Sequence, residues 1–371
     1  MNYWKRNEGK TMHKLLSIVG ARPQFVKEAV VQHEIKRHPN LQEVVVHTGQ
    51  HYDANMSGTF FELFHMKKPD YNLGISGGSH GKMTGEMLIA LEPIFQKEAP
   101  DLVLLYGDTN STLAGALAAA KLKIPVTHIE AGLRQNPKDM PEEINRVLTD
   151  HIAAYLFAPS ERAINNLAAE GLRDKVYFSG DVMYDVFLHM KPRFIDDYYK
   201  QLGLEEGRYI VLTMHRDFNV DTKEKLEPML RSLAAINREV PIVFPIHPRT
   251  RQRIAEFHLE SLLDGWHVVE PLDYLQLMGL TQHCLLAITD SGGYQKETYF
   301  SGKNALVLME DTSWIELVEE GVNTLTDAAH LVEDFQRMTD VRVKEGIYGS
   351  GDAAKKIITT VEQSLSDHLL K

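Results

Sequence analysis

Three carboxylates lie at positions where they could act as acids and bases. Glu130 directly follows the apolar run Val126–Ile129, and a carboxylate ending such a strand is costly without a partner. Asp108 follows a second apolar run, with a helix N-cap as its structural alternative, and Glu142 follows a proline, with an acidic first helical turn as its alternative. Crowded carboxylates shift each other's pKa and can exchange protons with a substrate. His215 ends another apolar run and would complete the set, although a structural histidine is the commoner outcome among 17.

A glycine-containing turn in the second half of the chain is typical of an anion site. The stretch Asp290-Ser291-Gly292-Gly293 lies between an apolar run and a predicted helix. Free backbone amides at a helix start favour an anion such as a diphosphate, and glycines allow close backbone approach. The structural alternative is a tight turn with Ser291 as N-cap. Glu297, in the same helix, could bind a ribose diol, with a solvated helix charge as its alternative.

Basic side chains follow other apolar runs. Arg22 and Lys27 follow the first run, and His247 and Arg249 follow Ile242–Ile246. These residues could supply positive charge for phosphates, with solvated surface positions as the alternative. The turn before Arg22 has no G-x-G-x-x-G fingerprint, so NAD chemistry has little support and we expect no cofactor. No H-E-x-x-H or other metal-ligand spacing occurs, so we predict no metal.

The elements that must position these residues alternate along the whole chain. Short apolar runs separated by helix-length segments predict βαβ units and parallel sheets. A charged stretch at 190–207 divides them into two series, so we predict two doubly wound, Rossmann-like α/β domains at 13–195 and 196–352. The predicted strands are Lys14–Val19, Glu43–His47, Leu102–Tyr106, Val126–Ile129, Tyr155–Ala158, Val176–Phe178, Tyr209–Thr213, Ile242–Ile246, His267–Val269, Leu285–Thr289, Ala305–Leu308 and Asn323–Leu325.

The chain's final segment has apolar residues at helical spacing, which predicts a closing helix within 353–371 that packs back on the first domain. Ligands of open parallel sheets bind outside the carboxyl ends of the strands. Both series place polar residues directly after their strands. We therefore expect one crevice shared by the two domains.

Composition limits the classes of protein to which the chain can belong. Its 371 residues are enough for two cores, and 43% hydrophobic with 25% charged residues is typical of a soluble globular protein. No apolar run approaches the roughly 20 residues of a membrane helix, and the mean hydropathy is −0.26. A net charge of −11 argues against nucleic acid as a partner, and one cysteine excludes an intrachain disulfide. We expect a cytoplasmic protein without membrane association.

Eight motifs, in order along residues 13–365, resemble the non-hydrolysing UDP-N-acetylglucosamine 2-epimerase family. Any one of them is weak evidence, but their order is specific. The resemblance implies two domains of the glycosyltransferase-B architecture. The motifs are Gly20-Ala-Arg-Pro-Gln24, His47-Thr-Gly-Gln-His51, Tyr106-Gly-Asp-Thr-Asn110, His128-Ile-Glu-Ala-Gly-Leu-Arg134, Pro141-Glu-Glu-Ile-Asn-Arg146, Met214-His-Arg216, Thr289-Asp-Ser-Gly-Gly293 and Gly349-Ser-Gly-Asp352.

The resemblance also implies roles for individual residues. The positions that match the family's catalytic residues are Asp108, Glu130, Glu142 and His215. Those that match its UDP-binding residues are Arg22, Lys27, Ser291, Gly292, Gly293 and Glu297, with His247 and Arg249 as further substrate-binding candidates. Some members need UDP-N-acetylglucosamine at a second, activating site, here near Gln50 and His51, although Met83 stands where an assisting glutamine is expected. The family's usual state is a homodimer.

Two departures from the family pattern affect the expected sugar. Trp314 stands where many members have arginine, and Leu277 stands at the aromatic position beside uridine. A tryptophan in this stretch is similar to relatives that act on diacetamido-uronic sugar nucleotides. Arg249, on a loop where relatives often have asparagine, could pair with the carboxylate of such a sugar.

The implied reaction is epimerisation at carbon 2 of a UDP-N-acetyl sugar, from UDP-N-acetylglucosamine to UDP-N-acetylmannosamine, for synthesis of cell-surface polysaccharide precursors. The hydrogen on carbon 2 is not next to a carbonyl, so without NAD the accessible route is elimination of UDP to a 2-acetamidoglucal followed by re-addition. Alternatives are a 2-epimerase of UDP-2,3-diacetamido-2,3-dideoxyglucuronate, a hydrolysing 2-epimerase, a glycosyltransferase of the same fold, and an inactive sugar-nucleotide sensor.

Overall fold

A computed structural model describes residues 12–50, 66–338 and 343–367. The chain forms two compact units. The first consists of Met1–Leu188 together with Gly346–Lys371, and the second consists of His189–Glu345. Each unit contains its own parallel sheet.

The first unit is built on a seven-stranded sheet with the order β3-β2-β1-β4-β5-β6-β7. All of its strand pairs are parallel. Its central strands are apolar and buried, as expected for a parallel sheet covered by helices on both faces. The strands are β1 (His13–Val19), β2 (Leu41–His47), β3 (Tyr71–Asn72), β4 (Leu102–Tyr106), β5 (Val126–Ile129), β6 (Tyr155–Ala158) and β7 (Val176–Phe178).

Helices connect these strands because parallel neighbours need a crossover. The first-unit helices are α1 (Arg22–Ile35), α2 (His80–Glu98), α3 (Asn110–Lys121), α4 (Pro141–Ile152), α5 (Glu161–Ala169) and α6 (Val182–Met190), with a 3₁₀ turn at Arg173–Lys175.

The second unit repeats this plan with a six-stranded parallel sheet in the order β10-β9-β8-β11-β12-β13. Its strands are β8 (Ile210–Thr213), β9 (Ile242–Pro245), β10 (His267–Val269), β11 (Leu286–Thr289), β12 (Ala305–Val307) and β13 (Asn323–Leu325). Its helices are α7 (Tyr198–Gln201), α8 (Asp217–Val220), α9 (Lys223–Asn237), α10 (Pro248–Glu256), α11 (Tyr274–His283), α12 (Gly292–Phe300), α13 (Ile315–Glu319) and α14 (Leu331–Met338), with 3₁₀ turns at Lys191–Arg193 and Glu260–Leu263.

A closing helix, α15 (Ala353–Ser366), returns to the first unit. It packs against α1, where His38 Nδ1 lies 2.6 Å from a carboxylate oxygen of Glu362. Asp185 accepts the backbone N–H groups of Ala353 and Ala354 at 3.0 and 2.8 Å and so satisfies two free amides at the helix start. The apolar face of α15, including Ile357, is buried.

The approach to α15 explains the glycines of the Gly349-Ser-Gly-Asp352 motif. Gly351 has a φ of +78°, and a Cβ there would lie 2.1 Å from a side-chain carbon of Leu188. A larger residue at this position would therefore be strained and would also displace a packed side chain.

Each sheet has one point at which its strand order reverses. In the first unit it lies between β1 and β4, and in the second between β8 and β11. Open α/β sheets bind their ligands outside the carboxyl ends of the strands at this point. The loops that begin at Gly20, Gly107, Met214 and Asp290 follow these four strands.

The predicted α/β class with two doubly wound sheets is confirmed. Twelve predicted strands match the structure within one or two residues, but β3 was missed because Tyr71–Asn72 spans only two residues and has no apolar run. No helix among the described residues is long and apolar enough to cross a membrane.

Candidate active site

Glu130 is paired with Lys27 next to the reversal point of the first sheet. The Lys27 Nζ lies 2.7 Å from Glu130 Oε1, and the two side chains are 7% and 9% exposed. Lys27 comes from the second turn of α1, and Glu130 directly follows β5. Glu130 also has a φ of +70°, a conformation that non-glycine residues adopt rarely and mainly where surrounding contacts impose it. The carboxylate that was hardest to explain structurally thus lies in an ion pair and on a strained turn.

Asp108 lies in the adjacent turn and is held by α4. Arg146 Nη2 donates to Asp108 Oδ2 at 2.5 Å, and Asn145 donates to the Asp108 carbonyl at 2.9 Å. The predicted alternative for Asp108, a helix N-cap, is wrong, because Thr109 caps α3 by accepting the N–H of Thr112. The Asp108 side chain is 28% exposed, so one side of the carboxylate remains accessible.

Glu142 is exposed in the first turn of α4. The described residues bring no side chain into hydrogen-bonding or ion-pair distance of it, and it contacts neither of the other two carboxylates. Its neighbour Glu143 is buried instead and accepts a hydrogen bond from Arg146 Nη1 at 2.8 Å. Glu142 therefore still fits the alternative of an acidic helix start.

Sequence reasoning did not assign roles to Asn145 and Arg146. Both belong to the Pro141–Arg146 motif that carried the resemblance. They follow Glu142 by three and four residues and so lie one helical turn after it. This spacing is the signal that would have identified them.

The loop after β1 is fixed by Gln24. Its Oε1 accepts the N–H groups of Gly20 and Ala21 at 2.8 and 3.0 Å, and its Nε2 donates to the Tyr106 carbonyl at 2.7 Å. A Cβ at Gly20 would lie 2.0 Å from the Ser111 hydroxyl, so only glycine fits between these loops. Arg22, the first residue of α1, is exposed beside this loop.

The candidate activating site is described only in part. Gln50 is half-buried, and its Oε1 accepts hydrogen bonds from the Ser111 amide at 3.1 Å and hydroxyl at 2.8 Å. His51 lies outside the described residues. Met83, at the expected glutamine position, has its sulfur 3.8 Å from Asn110 Nδ2.

Asp290 organises the reversal point of the second sheet. It is fully buried, and one of its oxygens accepts the backbone N–H groups of His215 and Arg216, each at 2.9 Å. Asn219 donates to the same oxygen at 3.1 Å. The Asp290 carboxylate therefore fixes the backbone conformation of the turn after β8.

His215 projects from that turn with 36% of its side chain exposed. Its Nδ1 lies 3.4 Å from Asp290 Oδ1, and its ring lies 5.3 Å from that of His247. Burial lowers the pKa of His215 below its usual value of 6.5, although Asp290 opposes the shift. A neutral imidazole near pH 7 can accept a proton.

The start of α12 fits the prediction of an anion site. Ser291 is the N-cap residue of α12, as in the structural alternative, but its side chain makes no cap hydrogen bond. A Cβ built on Gly292 or Gly293 would meet no atom within 4 Å, which leaves open space beside both backbone positions. Glu297 lies in the same helix, close enough to add to the effect of burial in raising the pKa of Tyr274.

Trp314 supports this helix start. Its indole Nε1 donates to the Gly292 carbonyl at 2.9 Å. The Lys296 Nζ lies 3.7 Å from the centre of the indole ring, a cation–π distance. The tryptophan that departs from the family pattern therefore contacts the predicted diphosphate turn.

The two remaining predicted residues have structural partners within the second unit. His247 caps α10, with its Nδ1 accepting the Arg249 N–H at 3.2 Å. The Arg249 guanidinium is bidentate on Asp221, with Nε 3.0 Å from Oδ1 and Nη2 bonded to Oδ2. No group of three or more metal-ligating side chains occurs within the described ranges.

Comparison with known proteins agrees with the motifs. The UDP-N-acetylglucosamine 2-epimerase family matches residues 33–362. A UDP-2,3-diacetamido-2,3-dideoxy-D-glucuronate 2-epimerase of Pseudomonas aeruginosa is 45% identical over 353 residues, which cover 93% of this chain and 98% of that protein. A UDP-N-acetylglucosamine 2-epimerase homolog of Methanococcus maripaludis is 43% identical over 354 residues, with the same coverage of 93% and 98%.

A solved structure extends the likeness to three dimensions. The crystal structure of Methanocaldococcus jannaschii UDP-GlcNAc 2-epimerase in complex with UDP-GlcNAc and UDP is 38% identical in sequence and superposes with a TM-score of 0.80. The match covers 94% of this chain and 99% of that one. The chain therefore belongs to the UDP-N-acetylglucosamine 2-epimerase family.

Proposed function

We propose that this protein is an isomerase that inverts carbon 2 of a UDP-N-acetyl sugar, converting UDP-N-acetylglucosamine to UDP-N-acetylmannosamine without hydrolysing it. The observation that carries the proposal is the Lys27–Glu130 pair, which lies against Gly107, the residue before Asp108. Gly107 follows β4 at a strand-order reversal, where α/β sheets bind ligands. Family membership supports the same reaction.

The reaction proceeds by elimination and re-addition. A base removes the proton from carbon 2 while the bond from carbon 1 to the UDP oxygen breaks, which leaves a 2-acetamidoglucal and UDP. A proton then returns to the opposite face of carbon 2, and the same UDP oxygen bonds carbon 1 again. Atoms and electrons balance without an oxidant or a reductant, so the proposal includes no cofactor.

The proton-transfer roles go to the side chains predicted for them. Glu130 and Asp108 exchange protons at carbon 2, since each is fixed by a cation that orients its carboxylate. His215 serves as a further acid or base because burial lowers its pKa. Glu142 stays among the candidate catalytic residues only because it belongs to the Pro141–Arg146 motif.

The UDP-binding roles go mainly to the second unit. The turn Ser291–Gly293 holds the diphosphate through the amides of Gly292 and Gly293, supported by the open space beside both glycines. The Ser291 amide donates to Thr289 Oγ1 at 2.9 Å and so fixes the turn. Glu297 binds the ribose diol. Arg22, Lys27 and His247 remain candidates for phosphate or sugar contacts, and UDP must be held between the two steps because it re-adds.

The sugar is proposed to be UDP-N-acetylglucosamine. The bidentate Asp221 contact gives Arg249 a carboxylate partner within the protein, which weakens the case that it binds a uronic acid. UDP-2,3-diacetamido-2,3-dideoxyglucuronate remains the second candidate, favoured by the 45% identity to the Pseudomonas aeruginosa relative named for that substrate.

Proton NMR of the enzyme with each UDP-sugar in deuterated water tests the proposal. Epimerisation predicts deuterium on carbon 2 with UDP still attached. Release of UDP with free N-acetylmannosamine would identify a hydrolysing epimerase instead. Sugar transfer to an added acceptor without exchange at carbon 2 would identify a glycosyltransferase, and binding without any reaction would identify a sensor.

The wider setting is also part of the proposal. We infer domains at 13–195, with the closing helix at 353–371, and at 196–352, together with a homodimeric, cytoplasmic enzyme that supplies polysaccharide precursors. Light scattering of the purified chain tests the dimer. A rate that rises more steeply than linearly with UDP-N-acetylglucosamine at low concentration, and that loses this curvature in Gln50→Ala, tests the activating site.

A further inference from the structure

A completely buried histidine joins the two carboxylate-bearing turns of the first unit. His128 lies in β5, two residues before Glu130, and its side chain is 0% exposed. Its Nδ1 lies 2.7 Å from Asp150 Oδ1, and its Nε2 lies 2.7 Å from the Gly107 carbonyl oxygen. Both ring nitrogens therefore have a close oxygen partner.

These contacts assign the hydrogen-bond roles of the ring. A carbonyl oxygen can only accept, so Nε2 carries a proton and donates it to Gly107. Burial alone would raise the pKa of Asp150, but His128 and Arg134 together hold it below its usual value. The Nδ1 contact therefore ties His128 to a buried carboxyl group that Arg134 also binds.

Asp150 also fixes the chain beyond Glu130. Its Oδ2 lies 2.8 Å from Arg134 Nη1 and accepts the Gly132 N–H at 3.2 Å. One buried carboxylate thereby binds β5 through His128 and the following turn through Gly132 and Arg134. These contacts flank Glu130 on both sides along the chain.

Gly107 is the link from His128 to the candidate catalytic groups. Its N–H donates to the Ile129 carbonyl at 3.0 Å, while its own carbonyl accepts from His128. A Cβ at Gly107 would lie 3.5 Å from Glu130 Oε1 and 3.6 Å from Lys27 Nζ. The peptide that leads into Asp108 therefore lies directly against the Lys27–Glu130 pair.

We propose that His128, held between Asp150 and the Gly107 carbonyl, is a positioning residue that fixes the Gly107–Asp108 peptide and with it the spacing of the Asp108 and Glu130 carboxylates. It holds the backbone carbonyl of Gly107 and takes no proton from substrate. The inference rests on the proposed function, since it assigns the two carboxylates to one reaction. Misplacement of reacting groups by about 1 Å can cost about 10²-fold in rate.

Two variants of His128 separate positioning from folding. His128→Leu removes both ring contacts but leaves Asp150 paired with Arg134, so no buried charge loses its last partner. We expect kcat to fall by about 10²-fold while KM and UDP affinity stay within about twofold. His128→Gln, whose amide can donate to Gly107, should recover a large part of kcat. The matched control is His151→Leu, a half-exposed neighbour of Asp150 that should keep the parent's kcat.

A direct measurement on the parent protein tests the hydrogen bond to Gly107. Nitrogen-15 NMR of histidine-labelled protein, with the His128 signals assigned by their loss in His128→Gln, should show a proton on Nε2. An Nε2 without a proton, or an unchanged kcat in His128→Leu, would overturn the inference. If the parent exchanged no deuterium with any UDP-sugar, the proposed function would fail, whereas the NMR result would still stand.

Discussion

The Lys27 ammonium lies 2.7 Å from the Glu130 carboxylate, although the two residues are 103 positions apart in the chain. Fewer than a tenth of either side chain is exposed. A buried carboxylate after an apolar strand needs a partner, and Lys27 in the second turn of α1 is one. Removing one member of such a pair takes the opposite charge away from the other, which costs more than the pair itself contributes.

Lys27→Met should therefore destabilise the protein by about 3–5 kcal/mol, because Glu130 is left buried without its ammonium. Urea unfolding of the parent and the variant measures this difference. The double variant Lys27→Met with Glu130→Gln should recover most of the lost free energy of unfolding. Equal destabilisation in the single and double variants would show that the pair is not the cause.

Glu130→Gln should lower turnover by about 10²–10⁴-fold, the usual contribution of an acid–base group, while UDP still binds. Deuterium exchange at carbon 2 measures turnover, and calorimetry measures UDP affinity. Glu161→Gln, an exposed carboxylate in the first turn of α5, is the matched control and should behave as the parent does. If Glu130→Gln turned over substrate as fast as the parent, Glu130 would have only a structural role.

The contrast between these two residues shows what the sequence could predict. Glu130 was recognisable because a carboxylate rarely ends an apolar strand. Lys27 was predicted to bind phosphate, since a sequence cannot show which distant side chain it meets. Arg146 and Asp150 were missed for the same reason, because each acquires its role only when α4 packs beside β4 and β5.

Gly292→Val should weaken UDP binding by at least about tenfold, because a branched side chain would fill space beside the amides that hold the diphosphate. Calorimetric titration with UDP tests this. The fold should tolerate the change, since a Cβ at Gly292 meets nothing within 4 Å. Gly85→Val in α2, where a Cβ is also free of contacts, provides the control. If the folded Gly292→Val variant bound UDP as tightly as the parent, the proposed diphosphate contact at Gly292 would be wrong.

Stability should fall with rising pH because of a buried carboxyl group in the first unit. Burial, and then the nearby Glu43, raise the pKa of Glu28 well above its usual 4.5. Above pH 4.5 the unfolded chain releases this proton while the folded protein keeps it, so the free energy of unfolding decreases until the pH passes the raised pKa. The Glu28 contribution is thus complete at low pH and lost as the pH rises.

Glu28→Gln should remove this dependence, since the amide oxygen can still accept from the Tyr106 hydroxyl. The stability of the variant relative to the parent should increase with pH by up to about 1.4 kcal/mol per unit within this window. Urea unfolding at pH 5, 6, 7 and 8 measures the trend. If the free energies of unfolding of variant and parent differed by the same amount at every pH, Glu28 would be excluded as the source of the pH dependence.

Topology was easier to predict than the details of the site. Apolar runs identified every described strand except the two-residue β3, because burial on both faces of a parallel sheet leaves a continuous pattern. The loops after these strands carry the candidate residues, as expected for open α/β sheets, which bind ligands at the carboxyl ends of their strands. Their hydrogen bonds were not predictable, since Thr109 rather than Asp108 caps α3 and no side-chain bond caps α12 at Ser291.

The identity of the sugar can be tested at Arg249. Its guanidinium is held by Asp221, so with UDP-N-acetylglucosamine as substrate Arg249→Ala should change kcat/KM by less than about threefold. If the diacetamido-uronic compound is the substrate and Arg249 pairs with its carboxylate, the loss should be about 1.5–3 kcal/mol, or about 10- to 150-fold. Arg253→Ala, which also removes a contact to Asp221, controls for disruption of that cluster. Measuring kcat/KM on both compounds separates the two outcomes, and a clear preference of the parent for the uronic sugar would reverse our assignment.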